Sequence, residues 1–192
     1  MSPTEIELLP VPAGTDATLV AELTDLVNRV YAAAEEGLWQ DGAARTTEEG
    51  MSELIRAGEI AVARVNGRIV GSVRVQRLKT GEGEFGQLAT EPEHRGAGIG
   101  RRLVEFAEQW SRDRGLTTMQ LELLVPRGWK HPSKEFLNDW YTRIGYQIVR
   151  IGAIEESYPD LAPLLATSCD FRIYHKDLSP PPDQPSGFVA AT

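Results

Sequence analysis

The residues with the clearest chemical potential stand in one short stretch, Thr90-Glu91-Pro92-Glu93-His94-Arg95-Gly96-Ala97-Gly98-Ile99-Gly100-Arg101. Three glycines alternate with small or apolar residues, and Arg95, Arg101 and Arg102 add positive charge. Upstream, Gln87-Leu88-Ala89-Thr90 reads as the end of a strand. Downstream, Ile99, Leu103, Phe106, Ala107 and Trp110 recur at helical spacing among charged residues. The glycines therefore fall at a strand-to-helix turn, where a helix presents unpaired N–H groups and the positive end of its dipole. Glycine also lets a ligand come close to the backbone. The chemistry implied is phosphate binding, although a plain flexible turn would use the same glycines. The spacing is neither that of a P-loop nor that of the dinucleotide fingerprint.

Elements that could position this turn can be read in order. Residues 5–9 alternate weakly as a first strand. Leu19, Leu23, Leu26, Val27, Val30 and Tyr31 mark one face of a helix over 16–34. A polar loop, 35–42, carries Trp39, which reads equally well as a packing residue or as a pocket wall. Thr46 and Glu49 form a candidate capping box for a second helix to about Ala57. Residues 59–65 and 68–78 alternate with period two around Asn66-Gly67, a two-residue hairpin turn. After Gly81-Glu82-Gly83, a strand over 84–90 delivers the chain to the glycine turn, followed by a helix over about 98–114 that ends at Gly115. Residues 117–125 form a β-rich run, and strand, helix and strand imply a parallel crossover. Beyond the loop 126–132, Ser133 is a candidate N-cap of a helix to Ile144, closed by Gly145. Strands are expected at 146–151 and 169–175, with a short helical piece near 160–166.

The chain has 192 residues, 41% hydrophobic and 25% charged, which is the make-up of a soluble globular domain. No apolar run is long enough for a membrane span, and Met1–Leu9 lacks a signal-peptide pattern. The net charge of −8 argues against nucleic acid as a partner. The only cysteine, Cys169, excludes an internal disulfide and sits among apolar neighbours as a buried, inert thiol. His94, His131 and His175 show no metal-ligand spacing, so no metal site is expected. The default compartment is the cytoplasm. The reading is one domain over 1–176 and a proline-rich, disordered tail over 177–192.

The element order β-α-α-β-β-β-α-β-α-β-β, the turn Arg95-x-x-Gly98-x-Gly100 and the late motif Trp140-Tyr141-Thr142-Arg143-Ile144-Gly145-Tyr146 together resemble the GNAT superfamily of acyl-CoA N-acyltransferases. The resemblance covers roughly residues 5–176. It implies an α/β fold: a mixed, mostly antiparallel sheet, a central parallel pair splayed around the cofactor, and helices on both faces. It implies an N-acetyltransferase that moves the acetyl group of acetyl-CoA to a primary amine of a small molecule or peptide, by direct attack in a ternary complex and without a metal. A longer acyl-CoA or an acyl carrier protein as donor, or a non-catalytic CoA-binding regulatory module, are the alternatives. Homodimerisation is left open.

Laid onto this sequence, the resemblance assigns backbone groups of Leu88, Ala89 and Thr90 to the pantetheine arm and acyl carbonyl. The amides of Arg95, Gly96, Ala97, Gly98, Ile99 and Gly100, with Arg101, fall to the pyrophosphate. Tyr141 matches the general acid for the departing thiolate. Glu84, eleven residues before Arg95, matches a strand glutamate that acts as base, with Glu122 on the next strand as second choice. Without a bulge, Glu84 would share a face with Gly86, Leu88 and Thr90; a bulge would break that parity. Either glutamate would equally serve as a solvated surface carboxylate. Trp39, Glu122, Trp129 and His131 are candidates for the acceptor side. Lys134 stands where many family members carry an asparagine.

Overall fold

In a computed structural model, which describes residues 3–180, one seven-stranded sheet runs through the molecule in the order β1-β2-β3-β4-β5-β7-β6. Its strands are β1 (Thr4–Leu8), β2 (Ile60–Val65), β3 (Arg68–Arg77), β4 (Gly83–Thr90), β5 (Thr118–Pro126), β6 (Gln147–Gly152) and β7 (Cys169–Asp177). Every pairing is antiparallel except that of β4 with β5. The helices are α1 (Ala17–Ala34), α2 (Glu48–Arg56), α3 (Ile99–Arg112) and α4 (Pro132–Arg143). The expected α/β architecture with its central parallel pair is present. The tail expected from residue 177 begins later than that: Asp177 still belongs to β7 and Leu178 is buried in the core, while 181–192 lie outside the described residues. Among those described, no helix is long and apolar enough to cross a membrane.

Alternation along the strands sorts the core into two faces. Val73, Val75, Phe85, Met119, Leu121 and Leu123 pack with Ile99, Leu103 and Ala107 of α3 and Tyr141 of α4. Ile60, Val62, Ile69 and Ala89 pack on the other face, with Leu23, Leu26 and Val27 of α1 and Met51 and Ile55 of α2. A third cluster of Leu38, Leu124, Ile154, Cys169 and Phe171 lies under the loops after α1 and before β7. Cys169 is buried there, as expected.

Local chemistry shifted several boundaries. The cap of α2 is Thr47, whose hydroxyl accepts from the Gly50 N–H at 3.1 Å, so the Thr46–Glu49 box does not form. Pro132 occupies the first turn of α4, where its missing N–H costs nothing, and Ser133 lies inside the helix. The piece expected near 160–166 is a single tight turn, Ala162–Leu164. Asn66 and Gly67 both take positive φ, 51° and 76°, as the predicted hairpin turn requires.

Candidate active site

The fold creates a fork in the middle of the sheet. β4 and β5 pair only at Gly83–Met119 and Glu84–Gln120. Beyond that vertex no β4–β5 pair continues, while β5 stays paired with β7 to Pro126. On its other side β4 pairs with β3 through a bulge. Ser72 faces Ala89 and Arg74 faces Gly86, so Gln87 and Leu88 together oppose one β3 residue, and Gln87 takes φ 46°. The bulge settles the parity of the strand. Phe85 and Leu88 pack in the α3–α4 core, and a side chain at Gly83 would strike Ser111 of α3. Glu84 and Ala89 point to the α1–α2 face. Glu84 therefore does not share a face with Leu88 and Thr90.

At the open end of the fork, β4 runs into the glycine turn. Gly96 and Gly98 take φ 82° and 77°, and a Cβ at either would meet no protein atom within 4 Å. Only glycine adopts this geometry without strain, and both positions face open space. The Arg95 N–H donates to Pro92 O and the Ala97 N–H to His94 O. These two amides, expected from the sequence to bind ligand, are therefore occupied in shaping the turn. The N–H groups of Gly96, Gly98, Ile99, Gly100 and Arg101 have no acceptor among the described residues. Four of the five open α3, whose first turn holds no acidic residue. Arg95, Arg101 and Arg102 are exposed around it. Together these features form an anion cradle.

Tyr141 lies on the α3–α4 face of the fork, with its ring centroid 6.0 Å from that of Phe85 and 5.0 Å from that of Trp140. The residue is 6% exposed, and burial holds its hydroxyl well above the ordinary tyrosine range. That hydroxyl has no hydrogen-bond partner among the described residues, and it is not sealed from solvent. A protonated phenol free to donate is what an acid at this position needs.

The opposite face carries the carboxylates. Glu84 sits at the vertex, 6% exposed, with one oxygen accepting from Gln76 Nε2 at 2.8 Å and the other from Gln120 Nε2 at 2.9 Å. Burial raises its pKa against the pull of those amides and of Arg74. Glu122 is the next β5 residue on this face after Gln120, less buried, and accepts from Tyr158 Oη at 2.7 Å. Burial and the nearby charge of Glu84 push Glu122 up to about 7. Tyr31 of α1 also reaches this side. Its hydroxyl lies beside the Leu88 backbone N–H, and burial raises it to about 12.

Three loops wall this face: the one after α1, the one after β5, and the segment 153–168. Lys134 Nζ bonds Glu35 Oε1 at 2.6 Å, with the two side chains 3% and 7% exposed, and Trp39 Nε1 donates to Glu35 Oε2 at 2.6 Å. Burial pushes Glu35 up, but Lys134 and Arg45 outweigh it and hold the carboxyl below its ordinary value. Trp39 also pairs with Leu165 across the loops and so braces the wall. Trp129 stacks on His131 at 5.1 Å and lies against Gly37. His131 is buried and donates from Nε2 to Glu36 O at 3.1 Å. It joins two loops and meets no carboxylate.

The model of the acetyltransferase (GNAT) domain family matches residues 56–148, from the end of α2 to the start of β6. Over residues 56–148, just under half of its length, this chain matches a GNAT acetyltransferase domain. No curated protein matches it in sequence. Among solved structures, the GNAT fold recurs in an aminoglycoside 6′-N-acetyltransferase complexed with coenzyme A, at 17% identity and TM-score 0.65, over 86% of this chain and 94% of that one. It recurs in the PaiA N-acetyltransferase of Thermoplasma acidophilum in complex with coenzyme A, at 15% identity and TM-score 0.66, over 91% and 99%. A GNAT-family acetyltransferase of Staphylococcus aureus Mu50 matches at 15% identity and TM-score 0.65, over 92% and 100%. At these identities the likeness is one of fold.

Around this site, reasoning from the sequence missed Tyr31, Arg45, Tyr158 and the Glu35–Lys134 pair. Tyr31 was legible only as a core residue of α1, because its last turn carries the same spacing as the buried ones. Arg45 and Tyr158 lie in loops without periodicity. No local signal marks residues that come together only through the fold.

Proposed function

We propose that this protein is an acetyl-CoA-dependent N-acetyltransferase that acetylates a primary amine by direct attack in a ternary complex. The observation that carries this reading is the fork itself: two strands that part beside a turn of unpaired amides, with a phenol on one face and two carboxylates on the other. Acetyl-CoA, when bound, supplies an electrophilic thioester and a thiolate leaving group. The amides of Gly96 and of Gly98 to Arg101 fit its pyrophosphate, because their donors are orphaned and the two positive-φ glycines leave the approach open. Leu88 and Thr90 at the bulge line the gap for the pantetheine arm. An acyl carrier protein would bring no adenosine pyrophosphate to this turn, so the cradle favours free CoA.

Glu122 is the preferred base, ahead of Glu84. Both Glu84 oxygens are engaged by amide donors, whereas Glu122 has one hydroxyl partner and a pKa near the working range. Glu84 then acts through its charge, which raises Glu122. Tyr141 protonates the leaving thiolate from the other face. Amine approach and thiolate departure lie on opposite sides of the sheet, which suits attack without an acyl-enzyme. Cys169 lies in the third cluster with its thiol raised by burial.

The test is CoA-thiol release from acetyl-CoA with a panel of primary amines. Turnover with at least one amine is expected, and Tyr141→Phe should lower kcat by about 10²–10⁴ while acetyl-CoA binding persists. Acetyl-CoA binding without turnover on any amine would instead identify a non-catalytic CoA-binding module.

A further inference from the structure

The acceptor face of the fork holds one cation that acetyl transfer does not require. Arg45 lies in the loop between α1 and α2, and its guanidinium carbon stands 4.8 Å from the Tyr31 ring centroid. The loop is clamped at the next residue: Asn28 Nδ2 donates to Thr46 O, and the Thr46 N–H to Asn28 Oδ1, each at 3.0 Å. The guanidinium is thus held over Tyr31, whose hydroxyl reaches the Leu88 N–H at the fork.

Arg45 is exposed, yet it forms no salt bridge among the described residues. Its nearest acids already have partners: Glu35 holds Lys134 and Trp39, and Glu122 holds Tyr158. Although the residue as a whole is exposed, its guanidinium end is largely desolvated, and the charges of Tyr31, Glu35, Tyr158 and Glu122 act on it, which places it at the wall of the same cleft. A guanidinium without an ion-pair partner among the described residues, crowded by its neighbours, has donors to spare and is a receptor for a carboxylate. The cleft therefore presents one free cation and one acid poised to take an ammonium proton. That pairing suits an amphoteric acceptor and disfavours a polycation, whose second ammonium would meet Arg45.

We propose that the acceptor is an amine that also carries a carboxylate, a free amino acid by chemical class, with Arg45 as the residue that receives its carboxylate while the amino group faces Glu122. The inference rests on the acetyltransferase reading above and names the substrate class of that site. No bond is made or broken at Arg45.

The experiment compares kcat/KM for α-, β- and γ-amino acids, their primary amides and a linear triamine, using the full chain and the variants Arg45→Gln and Arg45→Lys. Acetyl-CoA thermal shifts on all three proteins check that the cofactor side is intact. The expected result is an acid preferred over its amide, a preference that falls about 10- to 100-fold in Arg45→Gln and returns in part in Arg45→Lys. Turnover that favours amides or the triamine, or an acid-to-amide ratio unchanged in Arg45→Gln, would overturn the amino-acid class and leave the transfer reading standing. No turnover with any amine, with the acetyl-CoA shift present, would overturn both.

Discussion

The two sides of the fork are made of different material. The proposed cofactor side is built from backbone: five unpaired amides at the glycine turn, a bulge at Gln87, and two strands that cease to pair. The proposed acceptor side is built from side chains: Glu84, Glu122, Tyr158, Tyr31 and Arg45, walled by loops tied through Glu35, Lys134 and Trp39. A backbone site follows from the fold, so it serves any chain with that fold. A side-chain site changes with each substitution, so specificity resides there.

The contrast predicts where substitutions do most harm. The largest effect falls on Glu122→Gln, which should lower kcat/KM by about 10²–10⁴ at pH 8. In the parent protein the rate should climb as pH rises through about 7, the value to which burial and Glu84 raise Glu122, because only the carboxylate accepts a proton. In Glu122→Gln this rise should vanish. If Glu84→Gln abolishes it instead, the base is Glu84. The same shift affects stability. Between the ordinary value of 4.5 and about 7, the folded state keeps a proton that the unfolded chain has released. Stability from Glu122 is therefore present at low pH and lost as pH rises through that window. Glu122→Gln should show a smaller fall in Tm between pH 5 and pH 8 than its parent.

Next in size is Lys134→Ala. It leaves Glu35 as an uncompensated buried charge, and urea unfolding should report a loss of about 3–5 kcal/mol. The double variant Glu35→Leu with Lys134→Met should recover most of it, since both charges leave together. A Lys134→Ala variant as stable as its parent would show that the acceptor wall does not depend on this pair. The smallest effect belongs to Arg101→Ala. Its side chain is 68% exposed and bonded to Glu105, so its loss should weaken CoA binding only a few-fold. A collapse of binding would mean that side chains, not amides, build the cradle.

Legibility in the sequence followed the same divide. The glycine turn was readable because φ above zero and close approach demand glycine, and glycines are visible in a sequence. The hairpin at Asn66-Gly67 and the crossover from β4 through α3 to β5 were readable for similar reasons of backbone geometry. What the sequence hid lay in tertiary contacts. The bulge at Gln87, just after Gly86, was left open in the sequence, and it changes which residues share a face with Glu84. His131, a candidate for the acceptor side, makes a hydrogen bond to a carbonyl in another loop that nothing local in the sequence announces. Lys134, visible only as a departure from the family pattern, proved to be one half of a buried pair with a residue far back in the chain.

The most direct test of a backbone-built cofactor site is thermal unfolding with and without acetyl-CoA, in the parent protein and in Gly98→Glu. At about a hundredfold excess over its dissociation constant, a ligand adds about 2.7 kcal/mol, roughly 5–10 °C for a domain of this size. The fork and its cradle predict that shift in the parent and its loss in Gly98→Glu, where a carboxylate would enter the cradle at a position with φ 77°. No shift in the parent, or an equal shift in both proteins, would contradict it.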